Sequence, residues 1–436
     1  MFRLTDLVRR VFGARWPTVG ALAVVLLVAA TAGADWLRFR GPNGDGAAPA
    51  GKLPTTWGPQ ENVRWKTALP GAGTASPVVV GDKIFVSCYS GYGQDIDEPG
   101  DIKNLTLHLA CVDRADGKIL WQHAEKALQP EREFRGFITN HGYASSTPTS
   151  DGEAVYVFWG RSGVHAFDLA GKPLWQASVG ENLHGWGSAT SPILYQNLLI
   201  VNAAIESGRL VALDKATGKQ AWQYEGMSES WSTPAIVHLA SGKDELVASS
   251  KGKVFGFEPL TGKLLWQCDG VPDYVCPAVL VHDDVVYVTA GRSPLSVAVR
   301  AGGRGDVTKT HTVWKIKKGS KVPTPLYHDG LLYWVDQSGT AVCVEADDGD
   351  PVYEKKLEIS AKGDKVYASL VLGDGKLYAV TRHGGTCVLA IGPKFKQLAH
   401  NDLGDKSLFN ATPAIVGNTL LIRSDRFLYC LGKLGE

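Results

Sequence analysis

Two short segments set a histidine beside a glycine and then an aromatic ring: Asn140-His141-Gly142-Tyr143 and His184-Gly185-Trp186-Gly187. Imidazole changes charge near neutral pH and binds metals through either ring nitrogen, so two in equivalent places could share a metal or hydrogen-bond a polar ligand. Two histidines with no third ligand motif nearby make a poor zinc set. The plainer role is that each satisfies a loop carbonyl while its neighbouring ring plugs a gap. Three further segments match them in position: Ser228-Glu229-Ser230-Trp231, Asp273-Tyr274 and Leu408-Phe409-Asn410. Aromatic rings recurring in this way suit stacking on rings, sugars or partner side chains. The candidate surface is therefore His141, Tyr143, His184, Trp186, Trp231, Tyr274 and Asn410, read as binding residues. No catalytic residue and no metal-ligand set is assigned.

Other chemistry-bearing patterns are weaker. Asp95, Asp97, Glu98 and Asp101 make an acidic loop that reads as a solvated excursion. Ala301-Gly302-Gly303-Arg304-Gly305-Asp306 is glycine-rich but follows no phosphate-binding pattern, and reads as an extended hairpin connection. The basic residues of 315–321 read as a solvated strand end. No Gly-x-Ser-x-Gly elbow occurs. Asn43-Gly44-Asp45-Gly46 lacks the alternating carboxylates and terminal Glu of a calcium loop.

What must position these residues is a repeat. Its fullest copy is Ala212-x-Asp214-x-x-Thr217-Gly218-x-x-x-Trp222. The strand before Asp214 is apolar with a small residue in it, Asp214 can accept from turn amides, and Gly218 supplies positive φ. Trp222 then offers a large plate to wedge against an adjacent unit. Shorter or drifted copies end on Trp121, Trp175, Trp266, Trp314 and Tyr353, the tryptophans standing roughly 44–54 residues apart. A second element precedes each hairpin, a small or hydroxyl residue, usually before proline: Ser76, Thr147, Ser191, Thr233, Cys276, Thr324, Ser369 and Thr412. Eight such units of four short strands predict an all-β, eight-bladed propeller of four-stranded antiparallel blades. The last unit has strands at 414–416, 419–423 and 426–431 but no outer strand, whereas residues 62–66 read as an outer strand with nothing before it. The N-terminal strand is thus expected to complete the last blade and remove an open edge.

The N-terminus reads as a targeting segment. Arg3, Arg9, Arg10 and Arg15 precede the apolar run 19–32, and Ala32-Gly33-Ala34 offers a cleavage point after Ala34. The expected organisation is a signal peptide over 1–34, a turn-rich lead-in over 35–62 and a single propeller over 63–436, exported to the periplasm or cell envelope. No cysteine lies near residue 34 to carry a lipid. The formal net charge of +1 gives no basic footprint for nucleic acid and no strong pull to a membrane surface. Seven cysteines is an odd number. Cys111, Cys343, Cys387 and Cys430 sit at inward strand positions as small hydrophobes, while Cys268 and Cys276 flank one junction and could pair.

The hairpin motif, its Ser/Thr-Pro partner and the eight-fold count resemble the pyrroloquinoline-quinone-type (PQQ-like) propeller repeats. Those repeats occur in periplasmic quinoprotein alcohol dehydrogenases and in BamB, the outer-membrane protein assembly factor. The resemblance spans roughly residues 62–433. Its dehydrogenase branch implies a quinone (PQQ) near the ring axis, held through Ca²⁺ by Glu and Asn, with an Asp as base. Adjacent cysteines usually accompany that site, and this chain has no Cys-Cys and no Cys-x-x-Cys-His. The BamB branch implies a non-catalytic docking or assembly scaffold, with no cofactor, monomeric and bound to a protein partner in the cell envelope. The scaffold is the expected function and the PQQ-dependent dehydrogenase the alternative. A sugar-binding propeller would rest on the exposed aromatics.

Overall fold

The computed structural model describes residues 35–49, 51–292, 294–360 and 364–433. The expected signal peptide and its cleavage point lie outside the described residues. From Asp35 onward the chain forms eight antiparallel sheets in sequence order, the blades of a propeller. Blade 3 shows why: Ile193–Tyr195, Leu198–Ala203, Arg209–Asp214 and Gln220–Glu225 pair in succession. Its second and third strands are buried almost throughout because a neighbouring blade covers each sheet face, so they are apolar at consecutive positions. Its outer strand alternates exposed and covered residues.

Each hairpin of the repeat is a clamp on the blade before it. In blade 3, the N–H and hydroxyl of Thr217 donate to Oδ1 of Asp214 at 2.9 and 2.7 Å. That holds the turn open toward blade 2, where the Trp175 indole N–H donates to the Lys215 carbonyl at 2.9 Å. Gly218, at φ 71°, lies so close to this indole that a Cβ would fall 2.5 Å from it. The same bond joins Trp65 to Arg114, Trp121 to Leu169, Trp222 to Pro259 and Trp314 to Ala346.

Trp266 departs from the expectation that it wedges against the next unit. It is fully buried and donates to Oε2 of Glu245 in its own blade at 2.6 Å. Gly256 stands where blade 3 has Ala212 and leaves the space this ring fills. Blade 5 has no tight turn to receive it. Residues 301–311 instead run back along blade 4, where Gly305–Asp306 pairs in parallel with Trp266 and Gln267, and Arg304 binds Glu245 at 2.8 Å. All seven cysteines are free thiols, so Cys268 and Cys276 do not pair.

The ring closes as expected. Val63–Ala68 pairs antiparallel with Phe427–Leu431, which pairs with Thr419–Arg423 and then Ala414–Val416. Trp65 supplies the plate between this composite blade and blade 1.

The lead-in does more than connect. Trp36 exchanges both backbone bonds with Val79 of blade 1, and Ser150 of blade 2 donates to the Leu37 carbonyl. On the far side, Leu372 of blade 7 donates to Gly46 and accepts from Ala48. Between these anchors Arg40 is fully buried and donates to the carbonyls of Thr324 and Pro325 in blade 6 and of Gly44 and Asp45 in its own loop. Burial lowers its pKa to about 10, with Asp45 acting against the shift. The loop thus lies across one end of the central channel.

Candidate functional site

The inner rim of the channel is built from the small residues that open each unit. Each backbone N–H donates to the side chain of the next blade: Ser76 to Thr147, Thr147 to Ser191, Ser191 to Thr233, Thr324 to Ser369 and Ser369 to Thr412, all at 2.9–3.1 Å. Cys276 takes the hydroxyl's place in blade 5, and there Ala278 donates to Thr324 at 2.9 Å. These bonds fix the inner strands around one axis and turn hydroxyls toward it.

They enclose a cavity of about 550 Å³. Phe39, from the crossing lead-in, is in its lining, so the channel is a blind pocket open at the opposite face. Four aromatics guard that face. Trp186 stacks on Trp231 with centroids 5.0 Å apart, meets Tyr274 edge-on at 4.7 Å and contacts Phe137 at 4.6 Å. Phe137 is 51% exposed, whereas Trp231 and Tyr274 are buried. Trp231 is held by its indole bond to the Gly187 carbonyl at 2.7 Å.

Of the seven residues named from sequence, His141, Trp186, Trp231, Tyr274 and Asn410 line the pocket. Tyr143 does not: it packs among Tyr89, Tyr92 and Phe134 and donates to the Arg132 carbonyl at 2.5 Å. His184 stands behind the aromatics, its ring 4.9 Å from that of Trp231 and its Nδ1 accepting from the Trp186 N–H. The histidines therefore do not form a pair facing one ligand. His141 has both nitrogens engaged, Nδ1 with the Ser145 hydroxyl and Nε2 with the Trp186 carbonyl, each at 2.6 Å. Burial drops its pKa to about 4, so it is a neutral strut between blades 2 and 3.

Sequence reasoning missed two cations. Arg292 and Lys321 both line the pocket. Lys321 corrects the reading of 315–321 as a solvated strand end: its strand, Thr312–Ile316, finishes earlier, and Lys321 stands on the loop entering blade 6. Neither cation has a carboxylate within ion-pair distance among the described residues, and the Arg292 guanidinium lies 5.7 Å from the Tyr274 ring. Arg382 reaches the wall from behind, donating to Oδ1 of Asn140 at 2.8 Å beneath Tyr367. Burial holds Tyr274 and Cys276 each up to about 12, so phenol and thiol stay protonated.

No Asp or Glu lines the pocket, and no cluster of three acid, His or Cys groups suited to a metal occurs among the described residues. Asn140 and Asn410 are there, but the carboxylates that would hold calcium and a quinone, or act as base, are not. The residues present do not fit that group. The arrangement suits recognition by stacking, hydroxyl hydrogen bonds and positive charge.

A family model described as outer membrane protein assembly factor BamB matches residues 106–310 and 304–425. No curated protein matches the chain. Among solved structures, BamB from Moraxella catarrhalis superposes with a TM-score of 0.58 at 13% identity, over 86% of this chain and 98% of its own. A europium-containing methanol dehydrogenase gives 0.61 at 11% identity, over 92% and 98%. The computationally designed Ika8 protein gives 0.56 at 13%, over 84% and 98%. Likeness at these identities carries the propeller architecture and nothing finer.

Proposed function

The chain belongs to the BamB family of PQQ-like propellers, and from that premise we propose that it is an exported, non-catalytic propeller that binds a protein partner as a scaffold in the cell envelope. The observation that carries this reading is the aromatic cluster at the open face. Phe137 stands half in solvent against Trp186, which Trp231 and Tyr274 fix from behind. A rigid, centrally placed group of rings with an exposed member is the form that a protein hot spot takes. The monomer is taken as the working unit, because the composite last blade closes the ring within one chain.

The test is site-specific photocrosslinking in intact source cells. A crosslinker at position 137 should give one discrete adduct, and one at Ile119, exposed on the outer strand of blade 1, should give none. Trp186→Ala should weaken the adduct at 137. Equal labelling from both positions, or none from 137, would remove the scaffold reading. Fractionation of the same cells, with sequencing of the mature N-terminus, tests export and processing after Ala34.

A further inference from the structure

We propose that blades 5 and 6 carry a basic sector that docks on the headgroup surface of an anionic lipid bilayer. The inference goes beyond the scaffold reading and does not rest on it.

The sector stands out against the repeat. Counting from the outer-strand tryptophan, or from the residue in its register, the third position is Glu225 in blade 3, Asp269 in blade 4 and Asp402 in blade 7. In blades 1, 2 and 8 it is Ala124, Ser178 and Ala68. Only blades 5 and 6 place lysine there, Lys317 and Lys356. Lys315, Lys318 and Lys321 flank the first, and Lys355 precedes the second. The two runs meet, because Lys318 of blade 5 forms an ion pair with Glu354 of blade 6. Among the described residues it is the only one of these lysines with a carboxylate in ion-pair reach. Lys315, Lys317, Lys355 and Lys356 are exposed. The nearby acids are partly engaged: Asp336 accepts from amides of its own turn and Asp364 from those of His383 and Gly384. With Glu358 the remaining acid, the sector keeps a net positive charge.

The formal net charge of +1 conceals this sector, since Asp95, Asp97 and Glu98 stand exposed on blade 1, across the ring from blade 5. An anionic plane attracts one edge of such a ring and repels the other, which sets its orientation. The residue types favour lipid over an acidic protein. Protein hot spots are built from arginine and aromatic rings. Neither lysine run contains an arginine, and Trp314 is buried. Lysine is a compact, hydrated charge on a flexible stem, so several can meet a diffuse layer of phosphates with no fixed geometry to match. Clusters of roughly four to eight basic residues are of the size that holds a protein at an anionic bilayer.

The experiment is co-sedimentation of the whole protein with vesicles of phosphatidylglycerol and phosphatidylcholine in equal parts, against phosphatidylcholine alone. At about 50 mM salt the anionic vesicles should bind at least about ten-fold more tightly, and about 500 mM salt should remove the difference. Lys315→Gln, Lys317→Gln and Lys355→Gln combined should weaken binding to the anionic vesicles about ten-fold, whereas the same three positions changed to Arg should keep it within about two-fold. Lys219→Gln, Lys243→Gln and Lys263→Gln combined remove the same charge from exposed turns of blades 3 and 4 and should change nothing. The apolar run 19–32 is common to all these forms, so differences between them report the sector. Equal binding to both vesicles, insensitivity to salt, or equal loss from the two Gln triples would overturn the proposal. Poly-glutamate bound as tightly as the anionic vesicles would assign the sector to an acidic protein and overturn it too. None of these results bears on the adduct at position 137, so the sector and the scaffold can fail separately.

Discussion

Two ionisable side chains, Glu206 fully buried and His141 partly so, pull stability in opposite directions with pH. Burial raises the Glu206 carboxyl from 4.5 to about 7, although the Ser188 hydroxyl donates to it and works against the shift. Between those values the folded protein keeps a proton that the unfolded chain has released, so stability is lost as pH rises through the window. His141 does the reverse. Burial holds it near 4, so from pH 6.5 downward the unfolded chain takes a proton that the folded one refuses, and stability is lost as pH falls. Each effect is on the order of 3 kcal/mol, and from about pH 4.5 to 6.5 they offset one another. Glu206→Gln keeps the shape but cannot ionise. Its melting temperature should exceed wild type at pH 8 and fall steadily below pH 6.5, where wild type stays nearly level. A variant curve parallel to wild type throughout would show that Glu206 is ionised in the fold.

At the scale of the hairpin, the turn glycine works by proximity as much as by backbone freedom. Gly218 and Gly242 have similar φ values, 71° and 77°, but only Gly218 faces an indole; a Cβ on Gly242 meets nothing within 4 Å. Gly242→Ala should cost about 1 kcal/mol from the left-handed backbone alone. Gly218→Ala should cost roughly 2–4 kcal/mol, since Trp175 must also move. Denaturation midpoints compare the two directly, and equal losses would discard the clamp. This hairpin was legible in the sequence because its spacing repeats and every residue acts within a few positions of its neighbours. Trp266 was not: its orientation depends on Glu245 and on Gly302 and Arg304 from the following blade, contacts that no local pattern encodes. Arg292 and Lys321 escaped for a related reason. They stand on a hairpin loop of blade 5 and on its junction with blade 6, neither of which carries a repeated signature. His141, Trp186, Trp231, Tyr274 and Asn410 were within reach because they occupy equivalent junctions of the repeat. Tyr143 shares that position, yet its ring turned into the packing between blades.

For the molecule as a whole, closure was readable from an outer strand missing at one end and surplus at the other. The lead-in across the channel was not, because its turns carry no sign of what they lie against. Arg40 fastens it with donations to four carbonyls. Arg40→Met should leave those buried acceptors unmet and cost about 3 kcal/mol, seen as a lower urea midpoint. Trp36, anchored separately on blade 1, should keep its environment in the variant, so near-ultraviolet dichroism should change little. A midpoint equal to wild type would mean the loop is held by its apolar contacts alone.

The composite last blade also sets an order of events in time. Arg64 donates to the Lys433 carbonyl, 369 positions away in the chain, and Val63 pairs with Leu431. Strand Val63–Ala68 leaves the ribosome ahead of every other propeller strand, while its partner Phe427–Leu431 follows all the other described strands. Throughout that interval the nascent chain carries an unsatisfied edge at its front, and blades that form early can stack only into an open arc. Contacts this distant in sequence are the slowest to form. The exposed edge is the place where a second copy, or a chaperone, would bind first.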